Sequence, residues 1–368
     1  MNLPLMLFLF YGLACINKLS TLFNVVGIKA ILVSILLMWL VFLISSIINF
    51  NTFYFNIVRS FLIRLLFSYF FFIIIYNELF KDTRVKLLAQ NTVIFSIIVM
   101  SGFYVTGIGV EFINGRLFIF ETNANLIGVW ASTAILFSVD LIIITKPKGL
   151  RLWYYFSAIA LALLLIILSG SRKAVIIMPV GVLVYYLFLN RSFQFKVRLL
   201  VPLTVFAVIA FYSIAGSDLI ASRFESEMER RDLGGRMPIW EAGMEIARLN
   251  PFFGVGIGEF AFQMESRLGQ VRALHNEFIQ ILGYGGIAGL FCFSVFLTAL
   301  LLKSISALKN KYTDFTSLPL ALFIMILFYL FSAGGALTSF YAWFIFAFIS
   351  AKASANPYKE ATISPIMN

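Results

Sequence analysis

The sequence predicts an all-α fold: a polytopic transmembrane helix bundle of about 10–12 spans, with one larger outer loop containing short helices. Three observations predict it. The 368 residues are 61% hydrophobic, with a mean hydropathy of +0.97. Only 12% are charged, against about 25% in soluble domains, so a water-soluble fold could not hide the apolar surface. The apolar residues also come in runs of about 17–25, the length that carries a helix through the hydrocarbon core. A β-barrel would show short alternating segments instead, and none is evident.

Taken in order, the runs place spans at about 3–16, 25–47, 57–76, 92–110, 126–145, 152–168, 174–190, 198–215, 276–302, 316–332 and 335–351. Lysine and arginine in the short connections set the orientation. One basic loop holds Lys81, Arg84 and Lys86, and the next holds Lys146, Lys148 and Arg151. Then come Arg191, Lys196 and Arg198, followed by Lys303, Lys309 and Lys311. These lie at alternate connections and are therefore read as cytoplasmic, together with the tail that carries Lys352 and Lys359. The connections at about 48–56, 111–125, 169–173 and 216–275, and the turn at Gly334-Gly335, then face outward. The first span is short. If it crosses, the N-terminus lies outside; if it is re-entrant, the N-terminus lies inside. No internal repeat divides the chain, which reads as a single membrane domain over 1–368.

Several function classes are disfavoured at once. The net charge of +11 is accounted for by basic cytoplasmic loops, and no basic soluble module points to nucleic acid. Cys15 and Cys292 fall inside apolar runs and read as packing residues. There is one histidine and no zinc-ligand spacing, so no metal or other cofactor is expected. Residues 1–16 lack a basic leader and a small-residue cleavage site, so no cleavable signal peptide is expected.

The outer loop at 216–275 carries the chemistry. It contains Arg223, Arg230, Arg231, Arg236, Arg248, Arg267 and Arg272 and no lysine. A merely solvated positive surface would accept either cation, whereas arginine alone suits planar, bidentate recognition of phosphate or carboxylate. The competing reading is ion pairing with the loop's nine acids, such as Glu225, Glu227 and Glu229. Pro238 suits a first helical turn. From Ile239 to Leu249 the charges cluster on one face, with Ile239, Trp240, Ala242, Met244, Ile246 and Ala247 covering most of the rest. Asn250-Pro251 ends that helix. So broad an apolar face should pack on the bundle and roof an outward cavity.

His275 stands where this loop enters the next span. Its ordinary pKa near 6.5 suits general-base work at neutral pH, and the alternative is a helix cap. The glycine-rich stretch Asn250–Gly258 reads as a tight turn, or as backbone amides that meet an anion. Arg172 sits in the very tight connection Ser169-Gly170-Ser171-Arg172, where it is a fixed cation near the outer surface. Gly285 and Gly289 form a small-xxx-small pair that lets a neighbouring helix approach and holds the His275 helix rigid.

Four elements then occur in a familiar order: S-G-S-R at 169–172, G-G-R-M-P-I-W at 234–240, N-P-F-F-G-V-G-I-G at 250–258, and H-N-x9-G-x-x-G at 275–289. Over about 165–295 the chain resembles the O-antigen ligase and O-antigen polymerase superfamily, bacterial membrane glycosyltransferases that use polyprenyl-pyrophosphate-linked glycans. The resemblance implies a multi-pass inner-membrane enzyme with its active site facing the periplasm, partly on the 216–275 loop. It implies a metal-independent, inverting transfer of a glycan from undecaprenyl pyrophosphate to a sugar hydroxyl on a glycan or lipid A–core acceptor. By position, Arg172 and Arg236 match the family's pyrophosphate-binding arginines, Arg116 stands as a third, and His275 matches its catalytic histidine. Membrane lipid and a chain-length regulator complete the expected partners. Polymerase and ligase share these motifs.

Two other classes compete. A transporter or flippase of lipid-linked glycans would place ionisable residues or broken helices near the midplane, often in matching halves. Here Asp140 is the one acid well inside a predicted span, toward its cytoplasmic end, and no halves match. A non-catalytic assembly protein would need neither the arginine-only loop nor a histidine at its edge.

Overall fold

A computed structural model describes residues 28–113, 115–189, 194, 236–271, 273–308 and 317–353. The chain is an all-α polytopic membrane bundle. Its helices are α1 (Ile28–Ile48), α2 (Phe55–Lys81), α3 (Thr83–Thr106), α4 (Ala124–Thr145), α5 (Leu150–Ser169), α6 (Arg172–Phe188), α7 (Met237–Leu249), α8 (Ile257–Leu268), α9 (Glu277–Leu308), α10 (Leu318–Ser332) and α11 (Phe340–Ala353). Six of them, α1 to α5 and α9, are long and apolar enough to cross a membrane; α10 and α11 are shorter and apolar. The predicted spans fall on these helices within a few residues, except that α3 starts earlier than expected. The spans at 3–16 and 198–215 lie outside the described residues, as do Cys15 and the cations Arg191, Lys196, Arg198, Lys309, Lys311 and Lys359. Cys292 is buried in α9 as a free thiol.

The contacts cluster into two compact units. One is Met1–Lys81, Asp232–Ile305 and Leu330–Ser354; the other is Asp82–Arg231, Ser306–Tyr329 and Ala355–Asn368. In the second unit α4 is the central helix. Its small residues Gly128, Ala131, Ser132, Ala134 and Ser138 are buried and admit α3, α5 and α6 closely, as small residues do where helices pack within lipid. Asp82 caps α3, its carboxylate accepting from Arg84 N at 2.8 Å. Asp140 is fully buried in α4. It accepts from Gln90 Nε2 of α3 at 2.8 Å and from Tyr185 OH of α6 at 2.9 Å. These bonds clasp three helices together, a structural setting for the one acid that a transport reading would have used.

The outer connection predicted at 111–125 contains a two-stranded antiparallel hairpin, β1 (Val110–Ile113) and β2 (Arg116–Ile119), with Ile113 opposite Arg116. The sequence reading placed no strand here. The signal was present in Asn114-Gly115 between two apolar stretches, which is the strongest short-range hairpin pattern.

In the first unit α2 packs along α11 and against α1. Along α1, Ile28, Ile31, Ile35, Met38 and Phe42 are buried while Val33, Leu36, Leu37, Leu40 and Ile44 are exposed. A helix apolar on both faces has lipid as the solvent of its outer one.

Candidate active site

Helix α9 is not continuous. Gly286 adopts φ +60° and ψ −157° within it, a region of backbone space open only to glycine. Such a break frees amides and carbonyls inside the membrane, where each must find a partner. The partners come from the glycine-rich stretch that follows α7. Ile287 N donates to Pro251 O at 2.8 Å, Ala288 N to Phe252 O at 3.0 Å, and Val255 N to Gly283 O at 2.9 Å. The approach is so close that a Cβ on Gly254 would lie 2.6 Å from the amide nitrogens of Gly285 and Gly286. The end of α1 completes the clamp. Ser45 Oγ donates to Gly254 O at 3.1 Å, and Ile257 N donates to Ser46 Oγ at 3.1 Å. The motifs at 250–258 and 275–289 are thus one interlocked structure. The amides of Gly254, Val255 and Ile257 are spent on it and cannot meet an anion. Gly285 and Gly289 do admit a neighbour: Phe42 of α1 lies against both.

This clamp fixes the first turns of α9, and with them His275. The histidine is not the cap. Asn276 is, its Oδ1 accepting from Phe278 N at 3.1 Å and Ile279 N at 3.2 Å. Glu277 is fully buried and turns inward, accepting from Ala336 N at 2.9 Å and Leu337 N at 3.2 Å. That ties the turn at Gly334-Gly335 to the start of α9. His275 itself is half-buried and adopts φ +51°, a left-handed conformation that costs a β-carbon-bearing residue about 1–2 kcal/mol.

Arg236 belongs to the same unit. It is half-buried and immediately precedes α7, with Trp240 N donating to its carbonyl at 2.8 Å. Pro238 lies in the first turn of the helix, as predicted. The predicted apolar face is the one that packs: Ile239, Ala242 and Ile246 join Val255, Phe260, Met264 and Leu274 in one core cluster. Trp240 Nε1 also donates to Leu274 O at 2.7 Å, which ties the first turn of α7 to the residue before His275. Arg236 and His275 are thus brought to one end of this unit. A second short helix, α8, completes the described part of the loop. There the ion-pair reading holds for one arginine: Arg267 Nε lies 3.7 Å from Glu245 Oε2, and its Nη1 donates to Gln263 Oε1 at 2.7 Å. Arg223, Arg230, Arg231 and Arg272 lie outside the described residues.

Arg116 and Arg172 are brought together in the other unit. Arg116 opens β2, and its guanidinium donates through Nε to Ser169 O at 3.0 Å and through Nη2 to Asn125 Oδ1 at 2.7 Å. The same Asn125 oxygen accepts from Ser171 Oγ at 3.3 Å. Arg116 is therefore docked on the Ser169-Gly170-Ser171 turn that delivers Arg172 into the first turn of α6. Gly128 of α4 lets this turn sit close, since a Cβ there would lie 2.7 Å from Ser171 Cβ. Both arginines are half-buried. Sequence reading singled out each arginine but not Asn125, the acceptor that holds Arg116 to the turn.

Residues 156–294 match the family described as O-antigen ligase. The matched segment runs from within α5 to beyond the break in α9 and includes Arg172, Arg236, His275 and both glycine motifs; Arg116 precedes it. No curated protein matches the chain. The matched segment contains the four motifs that carry the resemblance to the O-antigen ligase and polymerase superfamily.

Proposed function

We propose that the chain moves a glycan from undecaprenyl pyrophosphate to a sugar hydroxyl at the periplasmic face of the bacterial inner membrane, without a metal and with inversion at the anomeric carbon. The observation that carries this reading is the state of His275. It is half-buried, held left-handed at the loop-to-helix junction, and relieved of capping by Asn276. Strain of this kind persists where function requires it. The orientation rests on the lysines and arginines at alternate connections.

In the transfer, the acceptor oxygen bonds to the anomeric carbon while the bond from that carbon to the phosphate oxygen breaks. The acceptor proton passes to a ring nitrogen of His275 as general base. In a second version His275 only orients the hydroxyl, and the proton leaves later to water. The electron pair of the broken bond stays on the leaving pyrophosphate. The sequence has no D-x-D motif to hold a metal, so arginine must meet that charge, as preorganised cations do at developing anions. Arg172, Arg236 and Arg116 are assigned this role, each by its place in the motifs or beside them. The acceptor is a growing glycan in a polymerase, where a chain-length regulator would be a partner, or lipid A–core in a ligase.

The test is transfer from a purified lipid-pyrophosphate donor in detergent, with chelator present. If His275 is the base, His275→Ala lowers turnover by about 10²–10⁴. If it only orients the hydroxyl, the loss is about tenfold and His275→Gln restores it. Arg172→Lys and Arg236→Lys keep the charge but lose the planar fork, and a large loss is expected at normal membrane levels. Near-normal turnover in His275→Ala, or wild-type product from both lysine variants, would overturn these roles.

A further inference from the structure

Beside the backbone of His275 lies a half-open cavity of about 260 Å³. This is smaller than a typical pocket for a drug-sized ligand, about 300–1,000 Å³, and matches a single sugar unit or part of one. Leu274 and Gly334 line it, and Gly334 packs on His275, since a Cβ there would lie 3.1 Å from His275 N. Its walls are apolar, with Phe260 and Met264 contributed by α8. Two polar side chains line it, Gln280 and Tyr284, one turn apart on α9.

These two groups are paired and fixed. Gln280 Nε2 donates to Tyr284 OH at 3.1 Å. The Tyr284 ring is held edge-on by Phe61 at 5.2 Å, Phe260 at 5.3 Å and Phe42 at 6.0 Å, so its hydroxyl cannot wander. That bond uses an amide hydrogen of Gln280 and the oxygen of Tyr284. Among the described residues, no acceptor takes the Tyr284 O–H and no donor reaches the Gln280 amide oxygen. The cavity therefore offers one hydrogen-bond donor and one acceptor side by side on an otherwise apolar wall.

We propose that this cavity is a sugar subsite that receives the acetamido group of an N-acetylated amino sugar in the acceptor glycan. The proposal rests on the glycan-transfer reading and names the substrate class for the His275 side of it. An acetamido carbonyl takes the Tyr284 O–H, the neighbouring ring hydroxyl gives to the Gln280 oxygen, and the acetyl methyl packs on Met264 and Leu274. A purely hydrocarbon occupant, such as a polyprenyl tail, would bury both polar groups without partners, which is unfavourable. A plain hexose would set hydroxyls against the apolar walls, also at a cost. The acetamido group together with its adjacent hydroxyl matches all three features at once.

The test reads binding without turnover, using the full-length protein in detergent. Saturation-transfer NMR and competition titrations compare the methyl glycosides of N-acetylglucosamine and N-acetylgalactosamine with the parent hexosides. The acetamido glycosides should bind at least tenfold more tightly, with the acetyl methyl as the most strongly saturated group. Tyr284→Phe, which keeps the ring, and Gln280→Leu should each weaken them about tenfold and leave hexoside binding unchanged. Ala261→Met narrows the cavity from α8 and should abolish binding even if one α9 variant fails to fold. Equal affinity for both glycoside sets, or unchanged affinity in the two α9 variants, overturns the proposal. So does farnesyl phosphate binding in place of the sugars and losing its site in Ala261→Met. If the wild-type protein transfers glycan but ignores the acetamido group, this inference alone fails. If it binds acetamido glycosides yet transfers nothing from a lipid-pyrophosphate donor, the transfer reading fails instead.

Discussion

At the scale of single residues, position 275 combines a chemical demand with a backbone demand, and the two can be separated. The left-handed φ of +51° suits glycine at no steric cost and penalises alanine by about 1 kcal/mol or more. In an ordinary helical or extended conformation the order reverses, with glycine the less stable by about 0.5–1 kcal/mol. His275→Gly is therefore expected to be more heat-stable in detergent than His275→Ala by about 1 kcal/mol, although both lack the imidazole and both lose transfer. A melting order with alanine above glycine would mean that the backbone at 275 is not held left-handed. The residue itself was legible in the sequence as the sole histidine at the loop-to-span junction. Its release from capping was not, because His275 and Asn276 are adjacent and both plausible caps by type. Only the hydrogen bonds from Phe278 N and Ile279 N to Asn276 decide between them.

At the scale of elements, the broken α9 was the least legible feature. Glycine is common in transmembrane helices because it allows close helix approach, so Gly285-Gly286 and Gly289 gave no sign that the helix stops. The turn at 250–258 was legible as a turn, but not as the partner that satisfies the break. That pairing joins residues about 35 apart in sequence, and no local pattern encodes it. By contrast α7 was read closely, since its proline, apolar face and terminating Asn-Pro are all local signals. The break makes a strong prediction. A methyl group at Gly286 would lie 2.5 Å from Gly254 N and from the carbonyl of Phe252, with backbone on every near side and a glycine-only φ and ψ. Gly286→Ala is expected to destabilise the protein by several kcal/mol, on the order of the 1–3 kcal/mol backbone strain plus the lost hydrogen bonds, and to fail to accumulate in membranes. Gly102→Ala in α3 meets nothing within 4 Å and should be neutral or up to about 1 kcal/mol stabilising. If membrane levels and melting of Gly286→Ala equal those of Gly102→Ala, the interlock of the two motifs is wrong.

At the scale of the whole molecule, the chemistry has a side only if the helices cross with the parity that the basic connections demand. Hydropathy located the described spans within a few residues because every span must be apolar over the same hydrocarbon thickness. Orientation follows instead from charge in short loops, and it can be checked separately in each compact unit. In one unit Lys81 ends α2 on the expected cytoplasmic side, while Ser266 lies on α8, on the expected outer side; both are exposed. In the other unit Lys148 lies in the basic connection before α5, while Glu111 lies on the hairpin, on the expected outer side; both are exposed. With Cys15 and Cys292 replaced by serine, single cysteines at Ser266 and Glu111 should react with an impermeant maleimide in intact spheroplasts. Cysteines at Lys81 and Lys148 should react only after the membrane is opened. The four sites make the outcome decisive, because an inverted chain swaps all four at once, whereas an error confined to one predicted span swaps only the sites on one side of it in the sequence. Labelling of Lys81 and Lys148 from outside, with Ser266 and Glu111 protected, would put His275 and all three arginines on the cytoplasmic face and remove the periplasmic reaction with them.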